Sequence, residues 1–324
     1  DMNRLTVLIC THDRARLLER TLDSLDAAHR PPGWSVDVMV AANACSDDTH
    51  TRLEARARRA PPALPLEWFA EPVPGKSHAL NSAVPRLAGD VVAFVDDDHR
   101  VDAAYLQAIC EAADAHPEAG LFCGRILPDW DGSEPAWVHD TGPYRIYPLP
   151  VPRFDQGAQA RELTADQAVP GGGNLFLRRP LLERVGPFAT DLGPTGHDLG
   201  GSEDLDWVLR ALRSGARLRY EPSVIQHHYV DMERLRLGYI MRKAYKRTAS
   251  TVRVEPRDPA SARVPLYMLR KVAVYAFRAG TALRMAPRRF YLVRTAAALG
   301  EVSGRLTRRP VGQGAASPAS RPSR

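Results

Sequence analysis

Three consecutive carboxylates, Asp96-Asp97-Asp98, follow directly on the apolar run Val91-Val92-Ala93-Phe94-Val95. Adjacent carboxylates repel one another, and burial sharpens the repulsion. A divalent cation resolves the conflict. Hard oxygen donors suit Mg2+ or Mn2+, and such an ion commonly bridges protein carboxylates to substrate phosphates. The ordinary alternative is a solvated acidic turn with one Asp capping a helix. The apolar run in front favours the metal, because it sets the acids at the end of a buried strand.

Other polar clusters could share that chemistry. Gly75-Lys76-Ser77 reads as a helix start with Asn81 one turn on, where free backbone N–H groups and a Lys can hold phosphate. The spacing is not that of a P-loop. Glu203-Asp204 opens a helix capped by Ser202. The pair either complements the helix dipole or supplies a general base for a hydroxyl acceptor. His227 and His228 follow the short strand Val224-Ile225. Either could complete a metal shell, and a pair of partly exposed loop histidines is the plain alternative.

The elements that must position these residues alternate strand with helix. Leu5-Thr6-Val7-Leu8-Ile9-Cys10 and Val36-Asp37-Val38-Met39-Val40 read as buried strands. The first ends in the polar loop Thr11-His12-Asp13-Arg14, and the second in Asn43-Ala44-Cys45-Ser46-Asp47-Asp48. Helical spacing of Leu17, Leu18, Thr21, Leu22 and Leu25 predicts a helix over 15–28. A second helix is expected from about Ser46 to Arg59, capped by Ser46. Leu66–Phe69 and Leu121–Ile126 are further strands, residues 128–168 a long loop region, and Gly171-Gly172-Gly173-Asn174 precedes a strand at Leu175. The alternation predicts an α/β fold with a parallel sheet between two helix layers. In such sheets ligands bind beyond the carboxyl ends of the strands, where the three polar clusters fall. No G-x-G-x-x-G follows the first strand, which counts against a dinucleotide-binding dehydrogenase.

Bulk properties agree with a folded catalytic body. The 324 residues are 44% hydrophobic and 25% charged, ordinary for a globular protein. Cys10, Cys45, Cys110 and Cys123 form no C-x-x-C pair and read as reduced thiols of a cytoplasmic protein. No basic-then-apolar signal peptide opens the chain, and Met2 is read as the start. The net charge of +6 is uneven. Residues 232–324 carry 21 Lys and Arg against four Asp and Glu, which leaves 23 basic and 34 acidic groups in residues 1–231. Residues 264–299 are expected to be helical, with Leu266, Leu269, Ala273, Phe277 and Gly280 on one side. Arg263, Arg270, Lys271 and Arg278 lie on another side of it. No stretch approaches the roughly 20 apolar residues of a membrane span, so the basic helical region 232–309 reads as an amphipathic segment lying on an anionic membrane surface. Residues 310–324 are Ala, Ser, Pro, Gly and Arg-rich and are expected to be disordered. A basic segment could also meet nucleic acid, but it carries no recognised DNA-reading motif.

Taken together, residues 4–230 resemble the inverting glycosyltransferases of family 2, which have the GT-A fold. The likeness rests on Thr11-His12-Asp13-Arg14 and on Asn43-Ala44-Cys45-Ser46-Asp47-Asp48-Thr49. It also rests on Gly75-Lys76-Ser77-His78-Ala79-Leu80-Asn81 and on Asp96-Asp97-Asp98 as a D-x-D motif. Gly171–Asn174, Glu203-Asp204 and a late His complete it.

The resemblance implies a GT-A domain over 1–231. It implies transfer of a sugar from a nucleotide-diphospho-sugar, UDP favoured with GDP or dTDP open, to a saccharide or lipid-linked hydroxyl in envelope polysaccharide, glycolipid or glycoconjugate synthesis. Thr11, His12, Asp13, Arg14, Asn43, Gly75, Lys76, Asn81, Asp96, Asp97, Gly173 and Asn174 would surround the donor. Asp98, Asp96 and His227 or His228 would hold Mn2+ or Mg2+. Asp204 would be the base, with Glu203 the second candidate. The enzyme would be peripheral at the cytoplasmic face of the membrane. A nucleotidyltransferase would want a G-x-G-T-R-like loop after the first strand, where Thr11-His12-Asp13-Arg14 stands. A catalytically silent nucleotide-sugar-binding protein would not need Asp98 and Glu203-Asp204 intact.

Overall fold

The computed structural model describes residues 2–191, 203–254 and 264–307. The chain divides into two compact units, Asp1–Asp129 with Pro152–Val230, and Trp130–Val151 with Asp231–Arg324.

The first unit is built on β1 (Asn3–Thr11), β2 (Trp34–Asn43), β3 (Leu66–Glu71), β4 (Val91–Phe94), β5 (His99–Val101), β6 (Leu121–Asp129), β7 (Arg161–Leu163), β8 (Leu175–Arg178) and β9 (Leu218–Tyr229). They form one sheet in the order β3-β2-β1-β4-β8-β6-β9-β5, with β7 beside β9. β1, β2, β3 and β4 pair in parallel, as the alternating pattern predicts. Beyond β4 the sheet is mixed. β8 runs antiparallel to both β4 and β6, and β9 runs parallel to β6 but antiparallel to β5. The βαβ rhythm that enforces parallel pairing ends with β4, and β8 is inserted after an irregular stretch.

Side-chain alternation along β1 divides the core. Leu5, Val7 and Ile9 face one cluster, in which Leu18, Leu22 and Leu25 of α1 (Ala15–Ala27) and Tyr105, Leu106 and Ile109 of α4 (Tyr105–Ala115) are buried. Leu8 faces the other, with Leu80 of α3 (Lys76–Ala83) and Trp207, Val208 and Ala211 of α6 (Glu203–Arg213). Each fully buried Leu in such a stripe contributes roughly 1.5–3 kcal/mol.

Several expectations change. The helix expected from Ser46 begins three residues later, as α2 (Thr49–Ala57). Ser46 does not cap it: its hydroxyl donates to Asp13, while the Asp47 carboxylate accepts from the Thr49 N–H. Between α5 (Pro180–Val185) and α6 lies Ser202, the expected cap of α6, which is outside the described residues. The long loop expected over 128–168 divides, with Trp130–Val151 grouping with the C-terminal helices. The short strand at Val224 is part of the twelve-residue β9, so His227 and His228 sit within a strand and not in a loop. All four cysteines are free thiols.

The second unit contains α7 (Leu237–Val254), α8 (Leu266–Thr281) and α9 (Met285–Leu306). The helical stretch expected over 264–299 is two helices, because the chain turns extended at Ala282 and Arg284. Gly300 and Gly304 let α9 approach the α7 backbone at Tyr245 and Ala249, where a Cβ would collide. Lys271 ties α8 to Glu301 of α9 at 2.8 Å. On α8, Met268 and Ala279 are buried, whereas Leu266, Leu269, Ala273, Phe277 and Gly280 all face outward. No helix among the described residues is long and apolar enough to cross a membrane. Arg263 and the tail from 310 lie outside the described residues.

Candidate active site

The Asp run is a tight turn between two strands. The Asp96 carbonyl accepts from the His99 N–H at 3.1 Å, and β5 begins at once. The Thr21 hydroxyl of α1 lies within hydrogen-bond distance of the Asp97 and His99 carbonyls and pins the turn from behind.

The three carboxylates then diverge. Asp97 is turned inward, accepting from the Thr11 hydroxyl at 2.8 Å and from Arg14 at 3.1 Å. Burial and the adjacent Asp98 charge push its carboxyl up to about 6 against the pull of Arg14. Asp98 meets Arg14 at 3.1 Å, and its two oxygens lie 3.7 Å from His99 Nε2 and 3.6 Å from His228 Nε2. Asp96 points to Lys76 at 3.0 Å. Burial alone would raise the Asp96 carboxyl, but Lys76 and His99 outweigh it and hold it far below the usual carboxylate range.

Lys76 joins the run to the Glu-Asp pair. Its Nζ lies 3.0 Å from Asp96 Oδ1 and 3.3 Å from Asp204 Oδ2. Burial works against this ammonium, yet Asp204 and Asp96 hold its pKa well above the usual value. Gly75 supports the placement. Its φ of +128° suits glycine, and its N–H donates to Asn43 Oδ1 at 2.9 Å. The glycine run serves the same centre. A Cβ on Gly172 would collide with the Asp204 carboxylate, and one on Gly173 would lie 2.9 Å from Asp96 Oδ2 and 3.0 Å from His99 Cε1.

Strand parity separates the two histidines. His99 stands opposite His228 in the β5–β9 ladder, and their rings are 4.7 Å apart. His227, one residue earlier on β9, takes the other face and pairs with Asp102 at 3.8 Å. It is therefore removed from the metal set. Burial and Arg100 lower its pKa.

Five other residues expected around the donor have their side chains engaged by neighbouring parts of the chain. Asn43 donates to the Glu71 and Val73 carbonyls while accepting from Gly75, and it is buried. Asn81 clasps the Phe188 backbone through both amide atoms. Asn174, also buried, donates to the Arg125 and Val224 carbonyls. These three asparagines hold the backbone around the site. Asp13, at φ +48°, accepts from the Ser46 N–H at 2.6 Å, the Asp47 N–H at 3.1 Å and the Ser46 hydroxyl at 2.9 Å. These bonds, the Ser46 N–H first, lower its pKa. His12 Nδ1 lies 2.8 Å from the Asn43 carbonyl. Of the acidic pair, Glu203 is enclosed in the core, whereas Asp204 opens towards Lys76.

The site also contains residues that sequence reasoning passed over, His99 and Gln226, and it gives Gly172 of the expected glycine run a specific place. His99 carried the one usable signal, an imidazole directly after the acidic run. The donor set fits a divalent cation. Asp98, His99 and His228 present ligand atoms within 4.8 Å of one another, Asp96 stands beside them, and His99 Nε2 is buried without a hydrogen-bond partner. Ligand atoms about 2.1 Å from one ion stand roughly 3–4.2 Å apart, and the 3.6 and 3.7 Å separations of the Asp98 oxygens from His228 and His99 fall in that range.

Comparison with known proteins bears on the family and the fold. Residues 6–186 match the family described as Glycosyl transferase family 2. A curated relative, the succinoglycan biosynthesis protein ExoM of Rhizobium meliloti, is 24% identical over 241 residues, covering 74% of this chain and 71% of that one. Among solved structures, S. aureus TarS superposes with a TM-score of 0.54 at 16% identity, covering 93% of this chain but 55% of TarS. Residues 1–349 of TarS in complex with UDP give the same score with 90% of that chain covered. The mannosyltransferase PcManGT from Pyrobaculum calidifontis, in complex with GDP-Man and Mn2+, superposes at 0.52 with 20% identity, covering 91% of this chain and 86% of that one. These likenesses establish the GT-A fold.

Proposed function

The chain belongs to glycosyl transferase family 2 and is a glycosyltransferase, and from that premise we propose a metal-dependent, inverting transfer from a nucleotide-diphospho-sugar to a hydroxyl acceptor. The observation that carries the reading is Lys76, which bridges Asp96 of the acidic turn and Asp204 of the Glu-Asp pair. One cation thus stands where a diphosphate would meet a base.

In this mechanism Lys76 and the N–H groups opening α3 bind the donor diphosphate. Thr11 and Arg14 hold the acidic turn in register, and His12 and Asp13 border the nucleotide end. Asp98 and Asp96, with His228, would hold Mn2+ or Mg2+, which would supply Lewis-acid neutralisation of the leaving diphosphate. Asp204 accepts the proton of the acceptor hydroxyl. The acceptor oxygen bonds to the anomeric carbon from the face opposite the diphosphate. The bond from that carbon to the diphosphate breaks, the nucleoside diphosphate leaves with the electron pair, and the configuration inverts. Gly172 and Gly173 leave room for Asp204 and Asp96 beside the sugar.

UDP is favoured as the donor nucleotide, a preference supported by the UDP complex of TarS, while the GDP-Man complex of PcManGT keeps GDP in view. An envelope polysaccharide, glycolipid or glycoconjugate acceptor is supported by the role of ExoM in succinoglycan biosynthesis. Attachment to an anionic membrane surface at the cytoplasmic face is supported by the charge surplus of residues 232–324 and by the outward apolar stripe of α8. The test is a hydrolysis screen of UDP-, GDP- and dTDP-sugars with Mn2+. Release of nucleoside diphosphate from one donor class, lost on chelation, is expected. No release from any of the three, with or without metal or acceptor extract, would overturn the reading.

A further inference from the structure

His99 is set up as a ligand by a chain of hydrogen bonds that fixes where its proton sits. Gln226 Nε2 lies 2.9 Å from the Phe94 carbonyl, 2.9 Å from the Tyr105 hydroxyl and 3.1 Å from Asn174 Oδ1. A carbonyl only accepts, so this end of Gln226 is its NH2 group. Asn174 is oriented by the same logic, since its Nδ2 faces two carbonyls. Gln226 Oε1 is therefore the atom 2.5 Å from His99 Nδ1, and Nδ1 must carry the ring proton. The Nε2 lone pair is left free. It is buried, without a hydrogen-bond partner, and 3.7 Å from both Asp96 Oδ2 and Asp98 Oδ1.

His228 repeats the arrangement. Its Nδ1 lies 2.6 Å from the Tyr229 carbonyl, so Nδ1 donates and Nε2 faces Asp98 Oδ2 at 3.6 Å. The two Nε2 atoms and the carboxylates of Asp98 and Asp96 thus converge, an arrangement that suits a shared cation in addition to Arg14 and Lys76, which already meet those carboxylates.

We propose that His99 and His228 both bind the divalent ion through Nε2, with Asp98 and Asp96 completing the set, and that the resulting two-imidazole site takes Mn2+ in preference to Mg2+. Imidazole nitrogen is a poor partner for Mg2+, which demands oxygen ligands and keeps its water, and a better one for the first-row transition ions. Gln226 is a positioning residue: it fixes the tautomer and ring plane of His99, as outer-shell partners of ligating histidines do. The proposal rests on the metal-dependent reading of the site.

The test titrates the full-length protein with Mn2+, with and without UDP. Electron paramagnetic resonance follows the free ion, and pulsed measurement of nitrogen couplings follows the bound ion. Two imidazole nitrogens are expected in the wild-type spectrum, and Mg2+ should displace Mn2+ only at about 100-fold excess or more. His99→Gln should lose one coupling and weaken Mn2+ at least about tenfold. Gln226→Leu should weaken it about 10–100-fold. The wild-type spectrum decides the matter even if a variant fails to fold. Bound Mn2+ with fewer than two imidazole couplings overturns this assignment and leaves the metal-dependent reading standing. No Mn2+ binding, with or without UDP, overturns both.

Discussion

Lys76 Nζ lies 3.3 Å from Asp204 Oδ2, although 128 residues separate them. Its second partner, Asp96, is 3.0 Å away, so one ammonium neutralises carboxylates from both halves of the site. Removing it leaves Asp96 and Asp204 facing each other across the place proposed for the diphosphate. Lys76→Met should therefore lower turnover by about 10²–10³-fold, the range for deleting one preorganised charge stabiliser. Steady-state transfer rates with the donor found by the screen check this, and a turnover within threefold of wild type would remove Lys76 from the mechanism.

The same carboxylate makes a sharp demand on one glycine. Gly172 and Gly171 are neighbours, but a Cβ on Gly172 would collide with Asp204, whereas one on Gly171 meets nothing within 4 Å. Gly172→Ala should displace Asp204 and cost about 10²-fold or more in turnover, as misplacement of a reacting group by an ångström does. Gly171→Ala should leave the rate near wild type. Comparable rates in the two variants, at matched circular dichroism, would show that Asp204 has no role as base.

Asp204 itself is separable from its neighbour. Glu203 is enclosed in the core while Asp204 opens towards Lys76. Asp204→Asn should keep UDP binding within a few-fold by calorimetry but lose transfer by about 10²–10⁴-fold, the contribution of a positioned general base. If the isosteric amide transfers normally, the base lies elsewhere.

These residues were legible in the sequence to different degrees, and the reason is physical. β1, β2 and β4 announce themselves as predominantly apolar runs, because parallel strands are covered on both faces. The acids at their ends therefore fall where ligands bind. β5 has only three residues, too few for any period, so His99 had no element to place it. His227 and His228 could not be told apart because strand parity becomes meaningful only once the β5–β9 register is known. Asn43, Asn81 and Asn174 stand at motif positions, where the resemblance implies donor contacts. Their partners, Gly75, Phe188 and Val224, lie 32, 107 and 50 residues away, and no local spacing encodes such pairings. The end of α8 was missed because helical periodicity runs on through Ala282 and Arg284, where only the backbone departs.

Asp13 makes a prediction about stability. It organises the loop before α2 by accepting from Ser46 and Asp47, and those bonds depress its pKa. A carboxylate depressed in the folded state stabilises the fold above its unfolded pKa, and that stabilisation is lost as pH falls through the folded value. Asp13→Ala should therefore cost about 1–2 kcal/mol at pH 7. The gap between variant and wild type should close as pH falls below the ordinary carboxylate range. Denaturant melts at pH 7 and in acid would show this, and a gap that persists unchanged into acid would contradict it.

The second unit makes the last prediction. On α8, Leu266 is 83% and Phe277 70% exposed, and Leu283 just beyond the helix is fully exposed. These side chains face away from the buried Met268 and Ala279, so packing within the unit does not account for them. Arg270 on α8, Arg284 in the connection and Arg288 on α9 are exposed cations of the same unit. That combination matches a helix lying in a lipid interface, where apolar insertion and attraction to anionic headgroups add. Each side chain moved from water into lipid contributes roughly 1.5–3 kcal/mol. Leu266→Ser and Phe277→Ser should each weaken partition to phosphatidylglycerol-containing vesicles by about tenfold, while hydrolysis of a soluble nucleotide-sugar is unchanged. Raising salt should weaken the wild type further by screening the arginines. If the serine variants pellet with vesicles as well as the wild type does, the outward stripe of α8 is not a membrane-binding surface, and the basic surplus of residues 232–324 must serve another anionic partner.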